Sequence, residues 1–165
     1  GRAHVMPMLN FLSALEPLGE TDLPASLDRY VRARRRPGIL VLVSDLLSGE
    51  PADLKSGLRE LRSRGWQAIV VHIVDEGELA PASYLPTGVG GRLTQTELLD
   101  VESAARLRLT PTSQVLQRYE AAVNTWLAEI ESACASEDAE YLRLQTDWPF
   151  ETIVLQLLHA RGVLA

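Results

Sequence analysis

The chain has 165 residues, of which 46% are apolar and 23% charged, so length and composition are those of one globular domain with a sizeable core. The 16 basic and 22 acidic residues give a net charge of −6, which argues against a dedicated nucleic-acid binder because phosphate contacts need a basic excess. The single cysteine excludes an internal disulfide framework, and no apolar run approaches the ~20 residues of a membrane span.

The first half of the chain alternates helical and strand patterns. Apolar residues at helical spacing predict three helices, over residues 4–16, 23–36 and 51–64. A continuous apolar run bounded by turn residues predicts a strand buried on both faces from Ile39 to Val43, and residues 66–74 predict a second buried strand.

The second half begins with residues 76–96, which are rich in Gly and Pro and predict a long loop. The later elements are a hairpin with strands over 98–101 and 105–109, a helix over 112–136, a strand over 139–145 and a helix over 149–161. Because strands alternate with helices, we expect an α/β fold with a mainly parallel sheet and helices on both faces.

Two residues that often act in catalysis are interpreted as core residues. His72 lies inside a predicted buried strand and has no evident nucleophile as a partner, which favours a satisfied structural histidine. Cys134 lies on or beside the apolar stripe of the long helix and is expected to be a small buried residue. That stripe is expected to pack on the sheet and contains Leu116, Tyr119, Val123, Trp126, Ile130 and Ala133.

Three aspartates follow the predicted parallel strands: Asp45, Asp75 and Asp147. Ligands of parallel α/β sheets bind beyond the carboxyl ends of the strands, so each aspartate is a candidate. Aspartate is also favoured as a helix cap in such loops, and Asp147 fits that role well. Capping explains Asp45 least, because Ser48 and Glu50 lie closer to the next helix.

Thr21 lies in the polar loop that precedes the strand ending at Asp45. Hard divalent cations such as Mg²⁺ prefer carboxylate and hydroxyl oxygens as ligands. The carboxylate of Asp45 and the hydroxyl of Thr21 are therefore the candidate metal ligands.

The stretches Gly19-Glu-Thr-Asp-Leu23 and Leu40-Val-Leu-Val-Ser-Asp45 resemble the second half of a von Willebrand factor A-like domain, which is Rossmann-like. More narrowly, they resemble the bacterial family called domain of unknown function fifty-eight. Matches at Leu99-Asp100 and at Tyr141-Leu-Arg-Leu-Gln-Thr-Asp147 extend the resemblance over nearly the whole chain. It implies one von Willebrand A-like domain over residues 1–165 that contains an inserted β-hairpin and lacks its N-terminal strand or strands, an expectation with which the initial Gly agrees.

In such domains a metal-ion-dependent adhesion site uses three loops, which supply Asp-x-Ser-x-Ser, a Thr and an Asp. By this resemblance Thr21 matches the second loop and Asp45 the third, whereas the first motif does not occur in the sequence. The resemblance therefore implies a partial or degenerate site that holds Mg²⁺ or Mn²⁺ weakly. It also implies a cytoplasmic bacterial protein with a MoxR-type AAA+ ATPase as its partner.

The leading hypothesis is a non-enzymatic protein-interaction module in which a partner carboxylate completes the coordination of the metal. One alternative is a Mg²⁺-dependent hydrolase or phosphotransferase that uses Asp45, Asp75 and Asp147. Another is a purely structural oligomerisation domain, in which the apolar strand from Ile39 to Val43 is an open edge that pairs with a second copy.

Overall fold

The computed structural model describes residues 4–16, 21–34, 36–86, 94–99, 105–149, 151–153 and 155. The helices are α1 (Val5–Ser13), α2 (Leu23–Ala33), α3 (Pro51–Ser63), α4 (Glu76–Leu79) and α5 (Ser113–Ser136). The strands are β1 (Ile39–Ser44), β2 (Gln67–Val74), β3 (Thr96–Leu99), β4 (Arg106–Leu109) and β5 (Glu140–Gln145). Of the helix predicted over 149–161, residues 149, 151–153 and 155 are described; residues 151–153 and 155 are helical, and residue 149 precedes the helix.

The main sheet is parallel, with its strands in the order β1-β2-β5. Ile39 of β1 pairs with Gln67 of β2, and Ile69 of β2 pairs with Glu140 of β5. Parallel neighbours cannot be joined by a tight turn, so α3 connects β1 to β2, and the path from β2 to β5 includes α5. The expected α/β fold with a parallel sheet flanked by helices is confirmed.

One face of the sheet carries the larger core, in which α2, α3 and α5 pack against β1 and β2. Its buried members are Leu27, Val31, Leu40, Leu46, Leu54, Leu58, Leu61, Ala68, Val70, Ile130 and Cys134. Gly57 lets α2 approach α3 closely, because a Cβ at this position would lie only 2.7 Å from Cδ1 of Leu27.

The opposite face has a smaller core and an exposed margin. Ile69, Val71 and Leu144 are buried there, and Trp148 and Ile153 pack against them. On β1 the side chains of this face are largely exposed: 54% for Ile39, 55% for Val41 and 62% for Val43. The prediction that this strand is buried on both faces is wrong for the part of the chain that the structure describes, because β1 is an edge strand there.

A buried carboxylate ties the end of α5 to α3. Glu137 is 5% exposed, and its Oε1 accepts hydrogen bonds from Nε and Nη2 of Arg59, each at 3.1 Å. Arg62 lies 3.7 Å from Oε2 of Glu137 and also binds Asp138 at 3.1 Å. The two arginines compensate the buried charge and hold the turn before β5 against α3.

The segment after β2 begins with α4 and not with the loop predicted from its Gly and Pro content. The N–H of Gly77 donates to Oδ1 of Asp75 at 2.8 Å, and the N–H of Asp75 donates to Oε2 of Glu78 at 2.9 Å. This reciprocal capping box satisfies the first N–H groups of a very short helix. The glycine-rich stretch over residues 87–93 lies outside the described residues.

The predicted hairpin is present as an antiparallel pair of β3 and β4. Its strands lie within two residues of the predicted ones, and residues 100–104 are outside the described part of the chain. Arg106 and Arg108 lie 3.6 and 3.1 Å from Glu97 on the polar face of the pair.

Helix α1 is apolar, yet none of its residues is buried. Its exposed apolar side chains are Val5, Met6, Met8, Leu9, Phe11 and Leu12. Among the helices that the structure describes, α1 included, none combines the length and hydropathy needed to cross a membrane.

Candidate functional site

Asp45 follows the last residue of β1 at the carboxyl edge of the sheet. Its side chain is exposed, and Oδ1 accepts a hydrogen bond from the N–H of Leu47 at 3.1 Å. The intervening Leu46 is buried in the larger core and has a φ of +59°, a conformation rare for leucine. The turn that follows the carboxylate is therefore anchored by Leu46 and Leu47, and Oδ2 has no hydrogen bond to the described residues.

A fully buried histidine holds the backbone of Asp45. Nε2 of His72 lies 3.0 Å from the carbonyl oxygen of Asp45, and Nδ1 lies 2.8 Å from the hydroxyl of Tyr141. Because a carbonyl can only accept, Nε2 carries the proton and Nδ1 accepts from Tyr141. Burial lowers the pKa of His72, and the charge of Arg143 adds to this effect while the bond to Asp45 opposes it. The ring also packs edge-on against Trp126 at 5.2 Å, which confirms the prediction of a satisfied structural histidine.

Asp75 connects the ends of β2 and β5. Its Oδ2 accepts a hydrogen bond from Oγ1 of Thr146 at 2.7 Å, while Oδ1 caps α4 through the N–H of Gly77. The bond from Thr146, with a smaller contribution from Gly77, lowers the pKa of Asp75. Both carboxylate oxygens are thus engaged in local structure. Asp147 follows Thr146 in an exposed turn, so the structure brings two of the three predicted aspartates to one corner of the sheet.

Thr21 is exposed and precedes the N-terminus of α2. The cap of α2 is the next residue, Asp22, whose Oδ1 accepts from the N–H of Ala25 at 2.9 Å. Capping therefore does not require the hydroxyl of Thr21. Gly19 and Glu20 of the same motif lie outside the described residues.

Thr21 and Asp45 offer one hydroxyl and one carboxylate, which is the donor chemistry that Mg²⁺ prefers, but two donors leave most of its six positions to other ligands. Within the described ranges, no three or more His, Cys, Asp or Glu side chains are grouped as a metal site would require.

The only cysteine of the chain, Cys134, is fully buried in the larger core. Burial raises the pKa of its thiol from 9.0 to about 11. Thiolates are the reactive form of cysteine, so this side chain is held in its unreactive form. The prediction of a small buried residue is confirmed.

We expect the thiol of Cys134 to react with iodoacetamide at pH 8 at least about a hundredfold more slowly in the folded chain than in urea. A pKa raised by about two units lowers the thiolate fraction by that factor, and burial further restricts access. The rates are measured by mass spectrometry of quenched samples. Similar rates in the two conditions would contradict the buried placement.

The structure adds an apolar groove that the sequence analysis did not identify. It has a volume of about 390 Å³ and lies between α5 and the ends of β1 and β2. Tyr119, Val123 and Trp126 of α5 line one side, and Leu47 and Val74 contribute from the sheet edge. The apolar stripe of α5 is predicted to pack on the sheet along its length, yet the buried residues of α5 all lie between Leu127 and Cys134.

The model of a family described as protein of unknown function DUF58 matches residues 1–127 of the 165. The chain belongs to the DUF58 family. The resemblance to domain of unknown function fifty-eight is thereby confirmed over residues 1–127, which include both Thr21 and Asp45, whereas the stretch from Tyr141 to Asp147 lies outside the matched residues. No curated protein and no solved structure gives a significant match to the chain.

Proposed function

We propose that this DUF58 chain is a non-enzymatic protein-interaction module that presents the carboxyl edge of its parallel sheet to a partner. One observation carries the proposal: the exposed carboxylate of Asp45 is held in a tight turn whose backbone is bonded to the buried His72. A group fixed in this way loses little conformational freedom when a partner binds, which favours association. The motifs around Thr21 and Asp45 further support a von Willebrand A-like fold in which β3 and β4 form an inserted hairpin.

In this proposal Thr21 and Asp45 hold Mg²⁺ or Mn²⁺ weakly. The metal, when bound, supplies positive charge to which a carboxylate of the partner can coordinate. The contribution of this chain is to position one carboxylate and one hydroxyl, and the incomplete donor set makes the partner part of the site. The family resemblance makes a cytoplasmic MoxR-type AAA+ ATPase the partner to test.

The properties of two reactive side chains support a non-enzymatic role over catalysis. Cys134 is buried with a raised pKa, and both ring nitrogens of His72 are engaged in hydrogen bonds. The alternative of a Mg²⁺-dependent hydrolase has less support because both carboxylate oxygens of Asp75 already accept hydrogen bonds. A phosphatase screen addresses it directly: metal-dependent turnover that Asp45→Asn abolishes would favour the hydrolase.

We expect the chain to bind Mn²⁺ weakly and the double variant Thr21→Ala, Asp45→Ala to bind it at least about tenfold more weakly, because both protein donors are then lost. Electron paramagnetic resonance of free Mn²⁺ measures the bound fraction, and calorimetry repeats the comparison with Mg²⁺. Asp147→Asn is the matched control, since it removes an exposed acid from the same edge of the sheet and is expected to retain binding. Equal affinity in the chain and the double variant, or equal loss in the control, would contradict the site.

The exposed margin of the sheet supports a second proposal, that two copies of the chain associate through β1. The strand contains no charged residue and no proline, which are the usual protections of an edge strand. Its outward-facing side chains on one face are Ile39, Val41 and Val43, each more than half exposed. The free backbone groups of such an edge can form hydrogen bonds with another edge strand, and the β1 strand of a second copy of the chain is one.

A further inference from the structure

Helix α5 carries a row of apolar side chains that are not buried, although one of them, Trp126, packs against the larger core. Val115 and Tyr119 are 43% and 41% exposed, and Val123 and Trp126 are half-buried. Positions three and four residues apart lie on one face of a helix, so these side chains form a continuous stripe. A scattered exposed apolar residue needs no explanation, whereas a continuous stripe indicates a contact surface.

This stripe forms one wall of the apolar groove described above, and the end of the sheet forms the other. Leu47, 61% exposed, and Val74 come from the sheet side. The volume of about 390 Å³ is near the lower limit of ligand pockets and suits one or two apolar side chains of a partner. Trp126 is braced by the edge-on contact with His72, so this part of the wall is already fixed before anything binds.

The border of the groove is acidic. Among the described residues that line it, Glu78 of α4 is the only charged one. Burial raises the pKa of Tyr119, and the charge of Glu78 adds to that effect. Glu76 lies on the same short helix as Glu78, and its carboxylate accepts a hydrogen bond from the hydroxyl of Tyr84 at 2.9 Å. Asp75 caps that helix. Within the described residues, none of these three acids forms an ion pair with Lys or Arg.

We propose that this groove docks a basic amphipathic segment of a protein partner. One or two apolar side chains of the segment enter between Tyr119, Val123 and Leu47, and Lys or Arg beside them pairs with Glu78 and the other acids of α4. The charge of the border selects the occupant: nucleic acids and anionic membrane surfaces would be repelled by it. The surface lies at the same edge as Asp45 but requires no metal, so it goes beyond the metal-assisted contact proposed above.

The test uses the full chain and three labelled peptides in EDTA, with binding measured by fluorescence anisotropy. The first has a pair of leucines flanked by lysines and arginines, the second has glutamates in place of the basic residues, and the third has serines in place of the leucines. We expect only the first to bind, and its affinity to fall as salt rises because the border contact is ionic. Equal binding of all three peptides, or binding of none, would overturn the proposal.

Variants assign the binding to the groove. Ala122→Trp fills it and is expected to weaken binding at least about tenfold, whereas Ala121→Trp adds the same ring at a neighbouring exposed position that does not line the groove. Glu78→Gln is expected to weaken binding severalfold and Glu129→Gln, farther along α5, to leave it unchanged. Matching thermal melts establish that each variant folds.

Two further outcomes would count against the proposal. If Ala122→Trp binds the basic peptide as the parent does, the peptide binds elsewhere and the assignment to the groove fails. If the chain self-associates in a salt-dependent way that Ala122→Trp abolishes, the groove receives a second copy and not a partner. The use of EDTA keeps these results separate from the Mn²⁺ titration, so either proposal can fail while the other stands.

Discussion

Replacing His72 with leucine is expected to lower the free energy of unfolding by about 2–3 kcal/mol. Leucine fills a similar volume but leaves the hydroxyl of Tyr141 and the carbonyl of Asp45 without the partners they have at 2.8 and 3.0 Å. The loss arises mainly from unsatisfied polar groups, since a buried group that loses its partner costs about 1–3 kcal/mol. Urea unfolding followed by circular dichroism measures the change.

A double-mutant cycle separates the hydrogen bond from the packing. Tyr141→Phe alone is expected to cost about 1 kcal/mol, because it removes the hydroxyl but leaves Nδ1 of His72 unpaired. The combination of His72→Leu with Tyr141→Phe is then expected to cost less than the sum of the two single changes, since no orphan hydroxyl remains. Strictly additive effects would show that the two side chains are not coupled.

Lysine in place of Val41 is expected to convert the chain from a self-associating species to a monomer. The side chain of Val41 is 55% exposed in the middle of β1, so the substitution places a charge on the contact surface without burying it in the core. Charged residues, lysine above all, are the common protection of natural edge strands. Sedimentation velocity over a range of concentrations measures the change in mass.

Two comparisons keep this result interpretable. Leu98→Lys changes an exposed apolar residue of β3, outside the parallel sheet, and is expected to leave association unchanged. Val41→Thr preserves the branched side chain that strands favour and is expected to weaken association less than lysine does. A parent chain that sediments as a monomer at every concentration would end the proposal of association through β1.

The parallel sheet could be predicted because its evidence is local. The runs over β1 and β2 are apolar except at Ser44, Gln67 and His72, and each is bounded by turn residues, so neither helix nor loop fits them better. The helix α4 was missed although its signal is present: Asp75 and Glu78 have the spacing of a capping box. The prediction of a loop over residues 76–96 was based on the Gly and Pro content of the whole segment. A capping box involves only four residues, so it has little effect on that average composition.

Periodicity alone could not separate the buried half of α5 from its exposed half. Tyr119 and Ile130 continue the same apolar stripe, but only Ile130 is buried. The lengths of the helix and the strand distinguish the two halves. The 24 residues of α5 span about 36 Å, while the eight residues of β2 span about 26 Å. A helix longer than the strands must extend past the sheet, and the groove lies where it does.

For the candidate site, sequence reasoning identified Asp45 as a residue that capping does not explain, and the structure places it in an anchored turn. It could not identify what holds that turn. The bonds of His72 reach Asp45 and Tyr141, which are 27 and 69 residues away in the chain. Contacts at such separations follow from strand register, which the apolar pattern of one strand does not specify.

The strand order β1-β2-β5 also has a consequence for how the sheet assembles. β2 pairs with β1 across a separation of 28 residues (67 − 39), but with β5 across 71 (140 − 69). The entropy lost on closing a flexible loop grows with the logarithm of its length, so the second pairing costs about 0.8 kcal/mol more before any contact forms. The segment between β2 and β5 contains the hairpin and α5, whose backbone hydrogen bonds join residues within each element. Early formation of those elements shortens the effective loop, so residues outside the three strands help to set the cost of adding the last strand.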